Sequence, residues 1–193
     1  MSLTALTGEI KRCRLCEPAL PEGANPVFLA AAGARILVAG QAPGIRVHNT
    51  GVPFNDPSGD RLRQWMNVDR ATFYDPGKIA IIPMGFCYPG TGKHGDLPPR
   101  PECAETWRAK LLGFLPAITL TLAIGQYAHR YHLGRQRKKN LTETVKCWRC
   151  YGKNLLPLPH PSPRNNIWLK KNPWFEQEVV PELQDRVAGL LNG

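Results

Sequence analysis

Several common sequence features are missing from this chain of 193 residues. No apolar stretch is long enough to span a bilayer, and residues 1–10 lack the charged-then-apolar pattern of a signal peptide. We therefore expect a soluble, cytoplasmic protein with no membrane partner. Internal repeats and low-complexity tracts are missing too, so we expect one domain over residues 1–193. We also expect a monomer.

Acidic residues are scarce relative to basic ones. The chain has 25 Lys and Arg against 15 Asp and Glu, a net charge of +10 and a pI near 9.6. A positive surplus suits binding to a phosphate backbone, although many basic proteins bind no nucleic acid. The basic run at residues 135–139 is either a solvated patch or a contact for phosphates.

The six cysteines have a spacing typical of metal ligands. Two Cys-x-x-Cys pairs are present, and such a pair binds one metal from a single turn, so two further thiolates complete a tetrahedral site. For Cys13 and Cys16 the two possible completions are Cys87 with Cys103, or Cys147 with Cys150. The alternative is unligated thiols that act as small hydrophobic side chains. A disulfide framework is not expected in an intracellular chain.

Apolar runs alternate with helical patterns along the chain. Short buried strands are predicted at residues 35–39, 78–82, 118–124 and 155–158. Each run is almost continuously apolar, as in parallel strands that are covered on both faces. Amphipathic helices are predicted at residues 58–66, with Ser58 as the N-cap, 101–114 and 179–191. This alternation predicts a three-layer α/β/α sandwich around a central four-stranded parallel sheet.

Unusual loops follow all of the predicted strands. They occupy residues 40–44, 83–92, 125–127 and 160–165. In an open parallel sheet the ligand crevice lies beyond the carboxyl ends of the strands. The sequence therefore predicts a binding site where these loops meet at one edge of the sheet.

The first loop reads Gly40-Gln41-Ala42-Pro43-Gly44. It is neither a Walker phosphate loop nor the G-x-G-x-x-G dinucleotide fingerprint. Its glycines allow close approach of the backbone to a ligand, and Pro43 stiffens the turn. The loop has no general base, because Gln41 is uncharged and Ala42 has no polar side-chain atom.

The last loop reads His160-Pro161-Ser162-Pro163-Arg164-Asn165. Its prolines fix φ on either side of Ser162 and reduce the entropy lost when the loop meets a ligand. A positioned neutral histidine donates a hydrogen bond to a developing oxyanion, and a proline-serine loop enters a nucleic-acid groove. The alternative is an ordinary turn between a strand and a helix.

These two loops resemble the signature motifs of the uracil-DNA glycosylase superfamily. The segments Pro53-Phe54 and Ser58-Gly59-Asp60-Arg61-Leu62 resemble the iron–sulfur branch, often called family 4. Cys13, Cys16, Cys87 and Cys103 fall where that branch places the ligands of a [4Fe–4S] cluster, which favours this set over the other completion. Zinc is the alternative metal, and Cys147 and Cys150 are then additional cysteines.

The resemblance implies a role for each loop. The backbone of Gln41 and Ala42 would hold a flipped base and the attacking water, Phe54 would stack on the base, and His160 would donate to uracil O2. Contacts with the nucleotide are implied for Gly40, Pro43, Gly44 and Ser162, and contacts with DNA for Pro163, Arg164 and Asn165. The implied activity is hydrolytic, monofunctional excision of uracil or a related deaminated base, which initiates base excision repair.

The sequence departs from the pattern of that superfamily at three positions. Ala42 stands where the most active branch has an aspartate, and Gln41 where the iron–sulfur branch usually has glutamate. Asp56 or Asp60 is therefore our candidate for orienting the water, with Asp56 the one we select. Pro83 stands where an asparagine commonly reads the uracil edge, so Asn49 and Asn55 are possible replacements.

Two other functions are open at this point. One is a non-catalytic or covalently trapping DNA-lesion binder on the same fold. The other is an unrelated metal-containing α/β hydrolase or nucleotide-binding protein whose basic charge is incidental. Multiple turnovers that leave an abasic product would separate an enzyme from a binder.

Overall fold

The computed structural model describes residues 2–93 and 95–192, so the ends of the predicted 1–193 domain lie outside the described residues. Strands β1 (Ile36–Ala39), β2 (Ile79–Ile81), β5 (Leu120–Ile124) and β6 (Leu155–Leu158) form a parallel sheet in the order β2-β1-β5-β6. Strands β3 (Thr91–Gly92) and β4 (Gly95–Asp96) pair as a small antiparallel hairpin.

Helices cover both faces of the sheet. They are α1 (Leu3–Lys11), α2 (Ile45–Thr50), α3 (Pro57–Met66), α4 (Arg70–Phe73), α5 (Pro101–Cys103), α6 (Ala109–Gly113), α7 (Gly125–Leu133), α8 (Leu141–Lys146), α9 (Asn166–Lys171) and α10 (Val180–Leu191). A π-helical turn, Ala104–Arg108, joins α5 to α6, and another, Phe175–Val179, leads into α10. Within the described residues, none of these helices is long and apolar enough to cross a membrane.

Alternate residues of each strand enter two different apolar cores. Ile36 and Val38 pack with side chains of α3, α8, α9 and α10 on one face, whereas Leu37 and Ala39 pack with those of α1, α6 and α7 on the other. Both faces of the sheet are therefore buried, which explains the continuous apolar runs of its strands. The predicted three-layer α/β/α sandwich with a four-stranded parallel sheet is confirmed.

The start of α3 differs from the prediction. The N-cap is Asp56, whose Oδ1 accepts a hydrogen bond from the Gly59 amide at 2.9 Å, and Pro57 occupies the first helical position. Asp56 has the extended backbone that an N-cap needs, whereas Ser58 already lies inside the first turn. The expectation that Ser58 caps this helix is wrong.

Candidate active site

A cavity of about 220 Å³ lies beyond the carboxyl ends of β1, β2 and β6. Its lining residues come from five loops, from α2 and α3, and from β2 and β4. They are Val27, Gly40, Gln41, Ala42, Pro43, Gly44, Val47, Pro53, Phe54, Asp56, Ser58, Ile81, Pro83, Asp96, His160, Ser162 and Arg164. The structure thus brings the two motif loops together at one edge of the sheet, as the positions of the loops suggest.

The first motif loop, residues 40–44, is held by its backbone carbonyl groups. The amides of Met84 and Gly85 donate to the carbonyl oxygens of Gly40 and Gln41 at 2.9 and 3.0 Å. In the described part of the chain, the N–H groups of Gln41 and Ala42 donate to no protein group. Two backbone donors beside the cavity are therefore available to an acceptor on a ligand.

The second motif loop, residues 160–165, is held by hydrogen bonds within the loop and by one from α3. Asn165 Nδ2 donates to the carbonyl of His160 at 2.7 Å, and the Arg164 amide donates to Ser162 Oγ at 3.2 Å. Arg61 of α3 donates to the carbonyl of Ser162 at 3.1 Å. These bonds and the two prolines hold the His160 ring at the mouth of β6 without a disulfide or a long secondary-structure element.

His160 is a neutral imidazole at neutral pH. Burial lowers the pKa of His160, and the nearby carboxylates of Asp56 and Asp96 oppose that shift without reversing it. A neutral ring has one N–H to donate and one free nitrogen. Beside two unpaired backbone N–H groups it provides the electrostatics that a developing oxyanion needs.

Phe54 is both a core residue and a cavity residue. Its ring makes an edge contact with Phe73, with centroids 6.2 Å apart, and also lies beside Gly40, where an added Cβ would be 3.3 Å from Cζ. Phe54 has φ +54°, and an added Cβ at Gly59 would overlap its carbonyl oxygen. Glycine at position 59 is therefore required for this placement of Phe54.

Three of the predicted contact residues lie outside the cavity lining. Asn55 Oδ1 accepts a hydrogen bond from Arg70 at 2.9 Å, which occupies the amide proposed to replace the missing asparagine. Pro163 and Asn165 belong to the short helical turn after Ser162, where Asn165 serves the loop itself. Asp60, the alternative to Asp56, is exposed and pairs with Arg63.

Several cavity residues were not foreseen from the sequence. Asp96 arrives on the β3–β4 hairpin, and Ser58 contributes a hydroxyl from α3. Arg108 is fully buried behind the cavity, and its Nη1 donates to the carbonyl oxygens of Ile82 and Pro83 at 2.8 Å each. It therefore holds Pro83, which lines the cavity, in place. A Gly-Asp step in a turn gives no signal for a cavity, and a helical arginine is usually exposed.

The second possible completion of a metal site does not occur. Cys147 and Cys150 are joined in a disulfide, whereas Cys13, Cys16, Cys87 and Cys103 are free. This corrects the completion of the metal site by Cys147 and Cys150. The Cys-x-x-Cys spacing across the start of a short helical turn brings the two Cα atoms to 5.4 Å, a normal separation for such a bridge.

Three of the four free cysteines, Cys16, Cys87 and Cys103, belong to the apolar core that contains α1, and Cys13 is half-buried. The charges of Cys13, Cys16 and Cys103 all act on Cys87, and the thiols of Cys16 and Cys103 interact directly. Burial raises the pKa of Cys87 to about 12 and that of Cys103 to about 11. Among the described residues, no group of three or more His, Cys, Asp or Glu side chains has the spacing of a site for one metal ion.

Comparison with known families agrees with this geometry. The family model described as the uracil DNA glycosylase superfamily matches residues 26–184, which is most of the chain and includes both motif loops. The match spans the sheet and every residue that lines the cavity. The chain therefore belongs to the uracil DNA glycosylase superfamily, a group of DNA glycosylases that act on deaminated bases.

Proposed function

We propose that this protein is a monofunctional DNA glycosylase that hydrolyses the N-glycosidic bond of uracil in DNA and so initiates base excision repair. One observation carries the proposal: neutral His160 and the N–H groups of Gln41 and Ala42, which donate to none of the described residues, border the same cavity. Excision leaves the base as an anion, and these groups supply donors where its charge develops.

The size of the cavity favours a single extruded base. Its volume of about 220 Å³ is smaller than the roughly 300–1,000 Å³ typical of pockets for drug-sized ligands. A base inside a duplex cannot enter such a space, so the nucleotide has to be flipped out or presented on a single strand. Phe54 beside Gly40 then offers one aromatic face for stacking.

The reaction follows from the groups around the cavity. The C1′–N1 bond breaks, its electron pair goes to the base, and His160 donates a hydrogen bond to O2 of the departing anion. A water adds to the oxocarbenium-like C1′ and loses its proton to a carboxylate; the cavity offers Asp56, the candidate from the sequence, and Asp96. No lysine is present among the described residues that line the cavity, so a Schiff-base lyase step is not expected.

The rim of the cavity provides the contacts with DNA. Ser162 and Arg164 line the cavity beside the exposed Pro163, and the chain carries a net charge of +10. We propose that Pro163 and Arg164 press into the minor groove while Asn165 keeps their loop in shape. Affinity for DNA is then expected to fall with rising salt concentration.

The choice of base rests on fewer contacts than the excision step. Pro83 lines the cavity with no amide of its own, and Arg108 already binds its carbonyl oxygen. Uracil is our first choice because its O2 and O4 are acceptors for His160 and for the free backbone donors. Hypoxanthine, xanthine and 5-hydroxymethyluracil are the alternatives that a substrate panel has to include.

A strand-scission assay tests the proposal. Labelled oligonucleotides carrying each of these bases, single- and double-stranded, are incubated with the protein and then treated with alkali. We expect cleavage at uracil with multiple turnovers. Salt-sensitive retention without cleavage would identify a lesion binder, and an absence of both would contradict the proposal.

We also propose that Cys13, Cys16, Cys87 and Cys103 hold a [4Fe–4S] cluster. Cys16, Cys87 and Cys103 are buried, Cys13 is half-buried, and the other three thiols all act on Cys87, which suits a group with four thiolate ligands. When bound, the cluster would join the segment after α1 to α5 as a structural cross-link. None of the four cysteines lines the cavity in the described chain.

Cys13→Ser tests the cluster, with Cys150→Ser as the matched control. We expect broad absorption near about 400 nm in the purified wild type. Cys13→Ser should lose this absorption together with several degrees of Tm, and Cys150→Ser should retain the absorption. A colourless wild type that contains zinc would support the alternative metal. A wild type without any metal, as stable as Cys13→Ser, would contradict both.

Location and oligomeric state complete the proposal. A substrate in cellular DNA implies an intracellular protein, and we propose a cytoplasmic one. We propose that the monomer is active, because one chain supplies both motif loops and the two carboxylates around the cavity. Sedimentation with and without DNA would test this, and a dimer that loses its activity on dilution would contradict it.

A further inference from the structure

Asp96 places a second carboxylate in the cavity. It lies on the β3–β4 hairpin, which crosses the open side of the first motif loop. An added Cβ at Gly44 would be 3.4 Å from Asp96 Oδ2, so this oxygen lies directly over the end of that loop. Its charge also acts on the His160 ring. Asp96 is therefore close to both groups of residues that would hold the base.

The hairpin is anchored to the cavity on two sides. Gln41 Nε2 donates to the carbonyl of Leu97 at 3.2 Å, which joins the first motif loop to the residue after Asp96. The Arg164 guanidinium packs on Gly95, where an added Cβ would overlap it, and Gly95 has φ +125°. Both motif loops thus fix the position of this hairpin, and the side chain of Gln41 serves that purpose.

One carboxylate oxygen of Asp96 accepts a hydrogen bond from a neighbouring side chain, and the other can accept one from a ligand or water. Thr91 Oγ1 donates to Asp96 Oδ1 at 3.1 Å, and the Tyr88 and Thr91 hydroxyl groups are 2.5 Å apart. Among the described residues Oδ2 has no hydrogen-bond partner. A carboxylate held by one oxygen, with the other free beside a cavity, has the form of a group that binds water.

Asp56, the other carboxylate in the cavity lining, is the N-cap of a helix. Its Oδ1 accepts from the Gly59 amide and caps α3. Ala42 has no polar side-chain atom, so the first motif loop itself offers no carboxylate. Asp96, in contrast, is oriented by one hydrogen bond, from Thr91, and does not cap a helix.

We propose that Asp96 binds and orients the water that attacks C1′, a catalytic role that rests on the proposed glycosylase function. As the C1′–N1 bond breaks and its electron pair passes to the base, the water oxygen bonds to C1′. The water proton passes to Asp96 Oδ2 and then to solvent. Gln41 is a positioning residue for this step, since it holds the hairpin through Leu97.

Asp96→Asn is the first test, because asparagine retains an acceptor for Thr91 while it removes the charge and replaces the other oxygen by an amide nitrogen. We expect the single-turnover rate of base release to fall about a hundredfold, with unchanged affinity for DNA and unchanged Tm. Asp56→Asn retains a good N-cap and should lower the rate less. Asp185→Asn, an exposed change on α10, is the matched control and should leave the rate unchanged.

Introducing a carboxylate into the first motif loop provides the second test. In the double variant Asp96→Asn with Ala42→Asp, the new carboxylate borders the same cavity, and we expect at least about tenfold recovery of the rate. A merely structural role for Asp96 would not be rescued in this way.

Two results would overturn the assignment. The first is Asp96→Asn with the wild-type rate, and the second is a larger loss in Asp56→Asn than in Asp96→Asn. Both require an active wild type, so they differ from failure of the proposed function, in which the wild type releases no base from any substrate.

Discussion

Two regions of this molecule contain buried or half-buried histidines, and the rings of the two regions have different partners. Helix α7 carries His129 and His132, while His160 lies in the loop after β6. Burial lowers the pKa of His129 to about 4, that of His132 to about 3, and that of His160 below its usual range. A lowered pKa is therefore common to both regions.

The partners of the rings separate the two regions. His129 Nε2 lies 3.0 Å from the carbonyl of Ala123 and 3.1 Å from that of Leu158, so its proton links β5 to β6. His132 Nε2 accepts from Arg108 at 2.8 Å. Fixed partners occupy both of these α7 rings, whereas His160 borders a cavity with two carboxylates. Available hydrogen-bonding capacity, and not the pKa alone, distinguishes a candidate catalytic histidine.

The largest expected effect comes from applying the same truncation in each region. His160→Ala should slow base release about a hundredfold, because one donor to the departing base is lost, and leave Tm within a few degrees of wild type. Single-turnover rates and thermal melts measure both quantities. A wild-type rate for His160→Ala would remove this residue from the site.

His129→Ala should show the opposite pattern. It leaves the carbonyl groups of Ala123 and Leu158 without their donor and opens a cavity, which should cost about 3 kcal/mol of unfolding free energy. The rate per folded molecule should stay near that of wild type. Urea unfolding gives the energy, and a normal stability would show that the β5–β6 link is unimportant.

The pH dependence of stability gives a smaller effect with a definite sign. His129 and His132 have folded-state pKa values of about 4 and about 3, below the 6.5 of the unfolded chain, so protons bind the unfolded state first. Their contribution is fully present above pH 6.5 and is lost as pH falls through the folded values. For His129 alone this is about 2 kcal/mol between pH 7 and pH 5.

His129→Gln sharpens that measurement because glutamine keeps a donor and does not titrate. We expect a flatter dependence of unfolding free energy on pH between 7 and 5 than in the wild type. Equal slopes in the two proteins would show that His129 is already protonated, or exposed, in the folded state.

The features that depend on local pattern could be predicted from the sequence. Strands such as β1 and β6 are continuous apolar runs, and their carboxyl ends carry loops rich in Gly and Pro, so the sheet and its functional edge follow from short segments. Phe54 and Asp56 closely follow the first motif, and His160 precedes a loop that prolines stiffen on both sides of Ser162. The sequence therefore predicts that these three residues lie together, and all three line the cavity.

The features that depend on packing between distant segments could not be predicted. Asp96 ends a two-residue strand shortly before a proline pair. Its hairpin is held over the cavity by the contacts of Gln41 with Leu97 and of Arg164 with Gly95, which join segments far apart in the sequence. Asn55 is a candidate from the sequence for reading the base, but its side-chain oxygen accepts a hydrogen bond from Arg70. Arg108 is buried in a π-helical turn beside two carbonyl groups, which no periodic pattern shows.

Product analysis tests the central claim most directly. A single-stranded oligonucleotide with one uracil is incubated with the protein in substrate excess, and mass spectrometry is applied to the base, the strand and the protein. The account predicts free uracil, an intact abasic strand and unmodified protein, with several turnovers. An unchanged strand, or a covalent protein–DNA adduct formed once per molecule, would contradict hydrolytic excision in this cavity.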